Sequence, residues 1–287
     1  MERELWTALC HVAARLHNQL VRSVYTDEVI CGVYWWAVVH DRPVSWACDA
    51  GNWPPSSRWC KLPSQPTMSR RLRSASVEQL LLDVERALMT LCVIGPQVLA
   101  IDGKPLPIGG ASGDADATWG RGAGGFSKGY KLYAIWGEAP LPVAWALAPL
   151  HVSERRIGAQ LAATLPGWGY LLGDKLYDVN YVYDAAAQAN YQLLAPQQRP
   201  GRELGHRRHS PYRREGLRLL TTAAGKRIYR QRIQIERRFA QLTAFVGGLG
   251  PLPFWVRRFH RVKLWVHSKL LLNAVHQRLL NNTLAIE

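Results

Sequence analysis

Three carboxylates stand apart in a strongly basic chain: Asp102 at the end of the apolar run "VLAI", Asp174 at the end of "YLLG", and Glu236 within "YRQRIQIERRF". An ionised carboxylate at the rim of a buried sheet is costly unless a cation compensates it, and open α/β sheets place their chemistry at strand ends. Two such aspartates suggest a metal; the alternative is that each caps the turn that follows it. Glu236 can be placed by helical projection at about 100° per residue. Taking Ile228 as origin, Ile235, Phe239, Leu242 and Val246 fall within about 40° of it, an apolar stripe facing a core. Tyr229, Arg232, Glu236 and Thr243 lie at about 40° to 100°, along the flank of that stripe, while Lys226, Arg230 and Arg237 point to the opposite side. The spacing therefore predicts one helix with Glu236 half-buried beside its core face. The simplest local alternative is an Arg232–Glu236 ion pair at i, i+4, worth a few tenths of a kcal/mol to the helix.

The elements that must position these groups follow from texture. From Gln97 onward the strand-like runs are "QVLAID", "GYKLYAIWG", "LPVAWALAPL", "GYLLGD" and "YQLLAP", with helices expected over Ser153–Leu165 and Val179–Asn190. Strands without clean alternation, interleaved with helices, argue for a covered mixed α/β sheet. "WGRGAGGFSKGYK" reads as a glycine-rich loop, and it lacks the lysine-serine pair and following helix of a phosphate cradle. Residues 1–93 read as a helical domain. Its amphipathic segment is Glu4–Val21, Thr26 and Asp27 open a second helix, and "SVEQLLLDVERAL" is a third, with Ser76 and Gln79 at capping-box spacing. Between them "SQPTMSRRLRS" carries Arg70 and Arg71; a recognition helix and a solvated basic turn are both open for it.

With 287 residues and 48% hydrophobic content, the chain can bury a large core and a satellite domain. Its 36 Lys and Arg against 21 Asp and Glu leave +15, with a pI near 10.0, which points to a polyanionic partner and most simply to nucleic acid. The excess is concentrated: thirteen Lys and Arg lie between Arg199 and Arg238, against Glu203, Glu215 and Glu236. The interval 197–224 has no apolar period and reads as a mobile basic arm that orders on a partner. Five scattered cysteines with no CxxC pair suggest neither a disulfide framework nor zinc, and reduced thiols in a cytoplasm are the expectation. The N-terminus has early acids and amphipathic spacing, unlike a signal peptide. The longest apolar stretches, 29–39 and 132–150, are too short or broken by Glu138 and three prolines, so no membrane span is expected.

"IDGKPL", "GDKLYD" and "YRQRIQIERRF" resemble the three acidic motifs of DDE-type insertion-sequence transposases, whose third motif has Tyr, Arg, Glu and Lys at fixed spacing. Tyr229, Arg232 and Glu236 match that motif, whereas Thr243 stands where the family has lysine. "GGFSKGYKLY" and "LHVSERR" also look like the family, and the likeness spans roughly Val98 to Leu280. It implies a ribonuclease H-like core over 94–287 in which Asp102, Asp174 and Glu236 bind two divalent ions, magnesium with manganese able to substitute. It also implies cleavage of insertion-sequence ends and joining of the 3′-hydroxyls to double-stranded target DNA, by a homodimer on DNA in a bacterial cytoplasm. Tyr229 and Arg232 would contact phosphate, with Lys226, Arg230, Arg237, Arg70 and Arg71 as further DNA contacts. A structure-selective nuclease and an inactive DNA-binding relic are the rival readings.

Asp178 is expected to cap the helix that starts at Val179. Asp114 and Asp116 lie in a small-residue loop, and His151 reads as a hydrogen-bonded structural histidine. Trp119 and Trp255 are the tryptophans placed to stack on an exposed base. The final segment, 258–280, is expected against the sheet.

Overall fold

A computed structural model describes residues 1–16, 24–55, 61–89, 95–122, 124–201 and 209–281. The chain divides into two compact units, a helical one made of 1–90 and 241–287 and a sheet-centred one made of 91–240.

The helical unit begins with α1 (Glu2–Leu16), α2 (Asp27–Val39), α3 (Val44–Ala47), α4 (Gln65–Arg71) and α5 (Ala75–Leu88). In α1, Glu2 and Glu4 sit in the first turn and Arg15 in the last, each favourable to the helix dipole. Leu5, Trp6, Ala8, Leu9 and Ala13 bury one face. Thr26 caps α2, its hydroxyl accepting from the Val29 N–H, and nearly every side chain from Ile30 to Val39 is buried, the mark of a central helix. Several of the twelve tryptophans form a cluster here. Trp36 stacks on Trp53 with centroids 4.9 Å apart, and both meet the edge or face of Trp6. Their indole N–H groups donate to the carbonyls of Gly32, Asn52 and Ala47.

Ser74, rather than Ser76, caps α5 by accepting from the Val77 N–H, and Gln79 donates to Asp83 instead of closing a capping box. The terminal helix, expected against the sheet, lies in the helical unit. Its buried positions, Val262 and Leu264 to Val275, occur on every side of the helix, the mark of a central helix in that unit. Arg71 is committed inside this unit as well: it donates to the Tyr25 carbonyl at 2.9 Å and to Asp27 Oδ1 at 2.7 Å. It therefore ties α4 to the start of α2 and is not free for DNA, unlike Arg70. Since Asp27 is only 6% exposed, Arg71→Ala should cost about 2 kcal/mol, the worth of a charged hydrogen bond. A lowered urea midpoint checks this; an unchanged midpoint with weaker DNA binding would return Arg71 to the DNA surface.

The sheet unit carries β1 (Gln97–Ile108), β2 (Thr118–Gly122), β3 (Gly125–Trp136), β4 (Ala144–Pro149), α6 (Glu154–Ala162), β5 (Gly169–Leu172), α7 (Asn180–Gln188), β6 (Tyr191–Leu194), α8 (Pro211–Thr221), α9 (Ala223–Tyr229) and the start of α10 (Ile233–Thr243). The helical unit then closes with α11 (Phe259–Leu280), which packs on α1, α2 and α5.

The sheet is mixed. β1 is central, antiparallel to β3 and parallel to β5, which is parallel to β6; β2 and then β4 line the outer edge of β3. This curled sheet flanked by helices is consistent with a ribonuclease H-like transposase core. Leu99, Ile101, Ile135, Leu161, Leu171 and Val182 belong to the core cluster that joins the sheet to α6 and α7.

Two expectations are corrected in this unit. The glycine-rich piece is a β-hairpin: Gly122 pairs with Gly125, which opens β3 at a φ of +114° that favours glycine, and Trp119 and Phe126 stack across its arms at 5.8 Å. The basic arm contains α8 and the start of α9; 202–208 lie outside the described residues. Gly216 lets α8 approach the sheet so closely that a Cβ there would stand 2.5 Å from the Leu193 carbonyl.

Candidate active site

Asp102 lies inside β1, not at its end: β1 continues to Ile108 against β3. What ends there is the pairing with β5. The last parallel partners are Ala100 and Leu172, so Asp102 and Asp174 each follow two residues beyond them, side by side where the two strands part. Asp102 Oδ1 accepts the Gly103 N–H at 2.7 Å. Asp174 caps the 3-10 turn Lys175–Tyr177 by accepting from the Leu176 N–H at 2.8 Å. The turn-capping alternative is thus present for Asp174, and that bond leaves its Oδ2 available to another group.

The third segment is not one helix. α9 stops at Tyr229, a 3-10 turn spans Arg230–Arg232, and α10 restarts at Ile233. Ile235, Phe239 and Leu242 keep the buried stripe, but Val246 lies beyond α10 and is 55% exposed. Glu236 is more open than expected, at 56%. The 3-10 turn aims Arg232 at the sheet: its Nη2 is 2.9 Å from Glu236 Oε1 and its Nη1 is 3.7 Å from Asp102 Oδ2. One guanidinium therefore touches both carboxylates. The i, i+4 ion pair foreseen from the sequence exists, and Arg232 also reaches Asp102. Tyr229 donates its hydroxyl to the Gly173 carbonyl at 3.1 Å, beside Asp174.

A fourth carboxylate was missed. Glu154, at the start of α6, takes the Tyr177 hydroxyl at 2.9 Å on Oε1 and pairs through Oε2 with Lys131 of β3. It lies in the "LHVSERR" stretch, and only the pairing of β3 with β1 shows that it belongs beside Asp102. Burial pushes the Asp102 carboxyl above its usual range; the Gly103 N–H opposes this, the charges of Glu154 and Asp174 add to it, and Arg232 partly offsets them. Burial likewise raises Tyr177, with Glu154 contributing further.

Elsewhere the structure separates scaffold from site. Asp178 does not cap α7; it forms a two-pronged ion pair with Arg213 of α8, at 2.7 and 2.8 Å. Asp114 is buried and accepts from Tyr130, and His151 is hydrogen-bonded to Thr118. Lys226, Tyr229 and Arg230 line one open groove, whereas Arg237 is exposed on the first turns of α10. Thr243 closes α10.

Among the described residues no three acidic, histidine or cysteine side chains form a ready-made metal cage. The donor set nevertheless suits a hard divalent cation: carboxylate oxygens in excess of local positive charge, with Asp102 penalised for its ionisation and a single arginine between two of the acids. A cation would relieve the repulsion that Arg232 only partly offsets.

Residues 94–271, well over half of the chain, match the family described as transposase DDE domain, and the chain belongs to that family. Neither the curated proteins nor the solved structures provide a match. Membership gives the class of activity, a DNA-binding, DNA-cleaving transposase enzyme, and members generally use divalent metals. None of the described helices is long and apolar enough to cross a membrane.

Proposed function

We propose that this chain cleaves the ends of an insertion sequence and joins the freed 3′-hydroxyls to target DNA, with Asp102, Asp174 and Glu236 holding two magnesium or manganese ions. The observation that carries the reading is the Arg232 guanidinium held against both Asp102 and Glu236, with Asp174 beside Asp102 at the end of the β1–β5 pairing. Ions held there would activate a water or a 3′-hydroxyl and offset charge on the leaving oxygen. The protein's own groups do the positioning. Asp102 must be ionised to act as a ligand, so its raised pKa makes binding of a cation compete with a proton. Arg232, once exchanged off the carboxylates, presents a planar fork suited to a phosphate. Tyr229, fixed through Gly173, stands at the same edge, and Lys226 and Arg230 continue the cationic groove along a strand. Arg237 and Arg70 are exposed cations for more distant phosphates. Thr243 stands where the family has lysine, and in this reading Lys226 or an arginine of the arm supplies the matching phosphate contact.

Residues 1–93 serve, in this reading, as the domain that grips double-stranded terminal inverted repeats. A homodimer brings two ends together in the cytoplasm, at the bacterial nucleoid. A strand-transfer assay with labelled ends checks the proposal: joined products should appear along with nicks when magnesium is present. Nicks without any joining would make the protein a structure-selective nuclease instead.

A further inference from the structure

The helical unit contains a cavity of about 210 Å³ that differs in kind from the carboxylate site, for no acid among the described residues lines it. Its floor is apolar and aromatic: Tyr34, Leu72, Val256, Leu264 and Trp265 are all buried. Its rim is cationic. Arg42, Arg73 and Arg261 line it and are exposed, and none of the three has a carboxylate partner among the described residues. Arg73 donates to the Ser69 hydroxyl at 3.2 Å. His260 is anchored beside them by the Leu72 carbonyl. Trp255 also lines the cavity.

Each feature narrows the ligand. Three guanidinium groups around one opening repel one another, so an anion there is favoured, and their forks match phosphate oxygens two at a time. An aromatic floor favours a flat ring, on which stacking is indifferent to sequence. The volume falls below the roughly 300–1,000 Å³ of pockets for larger ligands and suits one ring with its phosphate outside. We propose that this cavity binds a single nucleotide, its base on the aromatic floor and its phosphate on Arg42, Arg73 and Arg261. The nucleotide is either free or an unpaired unit of bound DNA. The site is independent of the carboxylates and stands whether or not they hold metal.

Calorimetric titration of the full chain in EDTA, which removes any contribution from divalent ions, separates these cases. The probes are deoxyadenosine monophosphate, inorganic phosphate, a fully paired duplex, and the same duplex with one unpaired adenine. The mononucleotide should bind one per chain and at least about tenfold tighter than phosphate, the gain expected from stacking. Arg73→Glu and, as a second variant, Arg42→Glu should each weaken it by about tenfold or more. If only the duplex with the unpaired adenine binds better than its paired control, and the rim variants abolish that preference, the nucleotide belongs to DNA. The proposal fails if phosphate binds as well as the mononucleotide and the unpaired base brings no gain. It fails equally if any gain survives unchanged in both rim variants, shown to be folded by circular dichroism.

Discussion

Asp102→Asn should lower magnesium-dependent nicking by about a thousandfold or more, the loss expected when several kcal/mol of metal-based stabilisation disappears. The same substitution should make the folded protein more stable at neutral pH. The reason lies in the direction of the Asp102 shift. Burial and the neighbouring charges of Glu154 and Asp174 raise its pKa in the folded state, so the folded chain holds this proton more tightly than the unfolded one. That contribution to stability is present below the ordinary carboxylate range and is lost as the pH rises through the folded pKa. At neutral pH the wild type has lost it, whereas asparagine never acquires the charge. A gain of about 0.5–2 kcal/mol is expected at pH 7, the usual return for relieving a strained functional site, and it should shrink in acid. Urea titrations at two pH values, with the nicking assay alongside, measure both effects. A variant that cuts like the wild type would remove Asp102 from the chemistry.

Arg213→Ala should destabilise the sheet unit by about 3–5 kcal/mol, because it strands the fully buried Asp178 carboxylate without its partner. For a chain of this size that amounts to a fall of roughly 10 °C in Tm. The pair does more than neutralise charge. It fastens α8 to the segment that enters α7, and Gln198 adds a third contact by donating its N–H to Asp178. Replacing both partners, Asp178→Asn with Arg213→Met, should recover part of the loss, since no charge is then left buried. Thermal unfolding of the three variants is the check. A negligible effect of Arg213→Ala would mean that 211–221 is the mobile arm suggested by its composition.

That contrast shows what was legible. β1, β3, β5 and β6 were readable because their apolar runs are buried on both faces, and Ile235, Phe239 and Leu242 declared the buried side of α10 by their spacing. α8 was hidden for a physical reason. Its anchors are polar, namely Arg213 on Asp178, the Ser210 hydroxyl on Asp184 and Gln192 on the Tyr212 carbonyl, and hydrophobic periodicity does not register them. The hairpin was masked by glycines that look like a loop until β3 is seen to extend through them. Within the candidate site, the two aspartates could be found from the way each follows an apolar run. Glu154 could not, because only the β1–β3 pairing shows that it lies beside Asp102. The break at Arg230–Arg232, which turns Arg232 toward Asp102, follows no helix breaker in the sequence.

The proposal that Asp102, Asp174 and Glu236 hold cations together is tested most directly by counting bound ions. Manganese titration of the chain on end-bearing DNA, followed by electron paramagnetic resonance, should find two ions per chain in the wild type and fewer in Asp174→Asn, independent of any cutting. Equal occupancy in the two proteins, or no bound manganese in either, would contradict it.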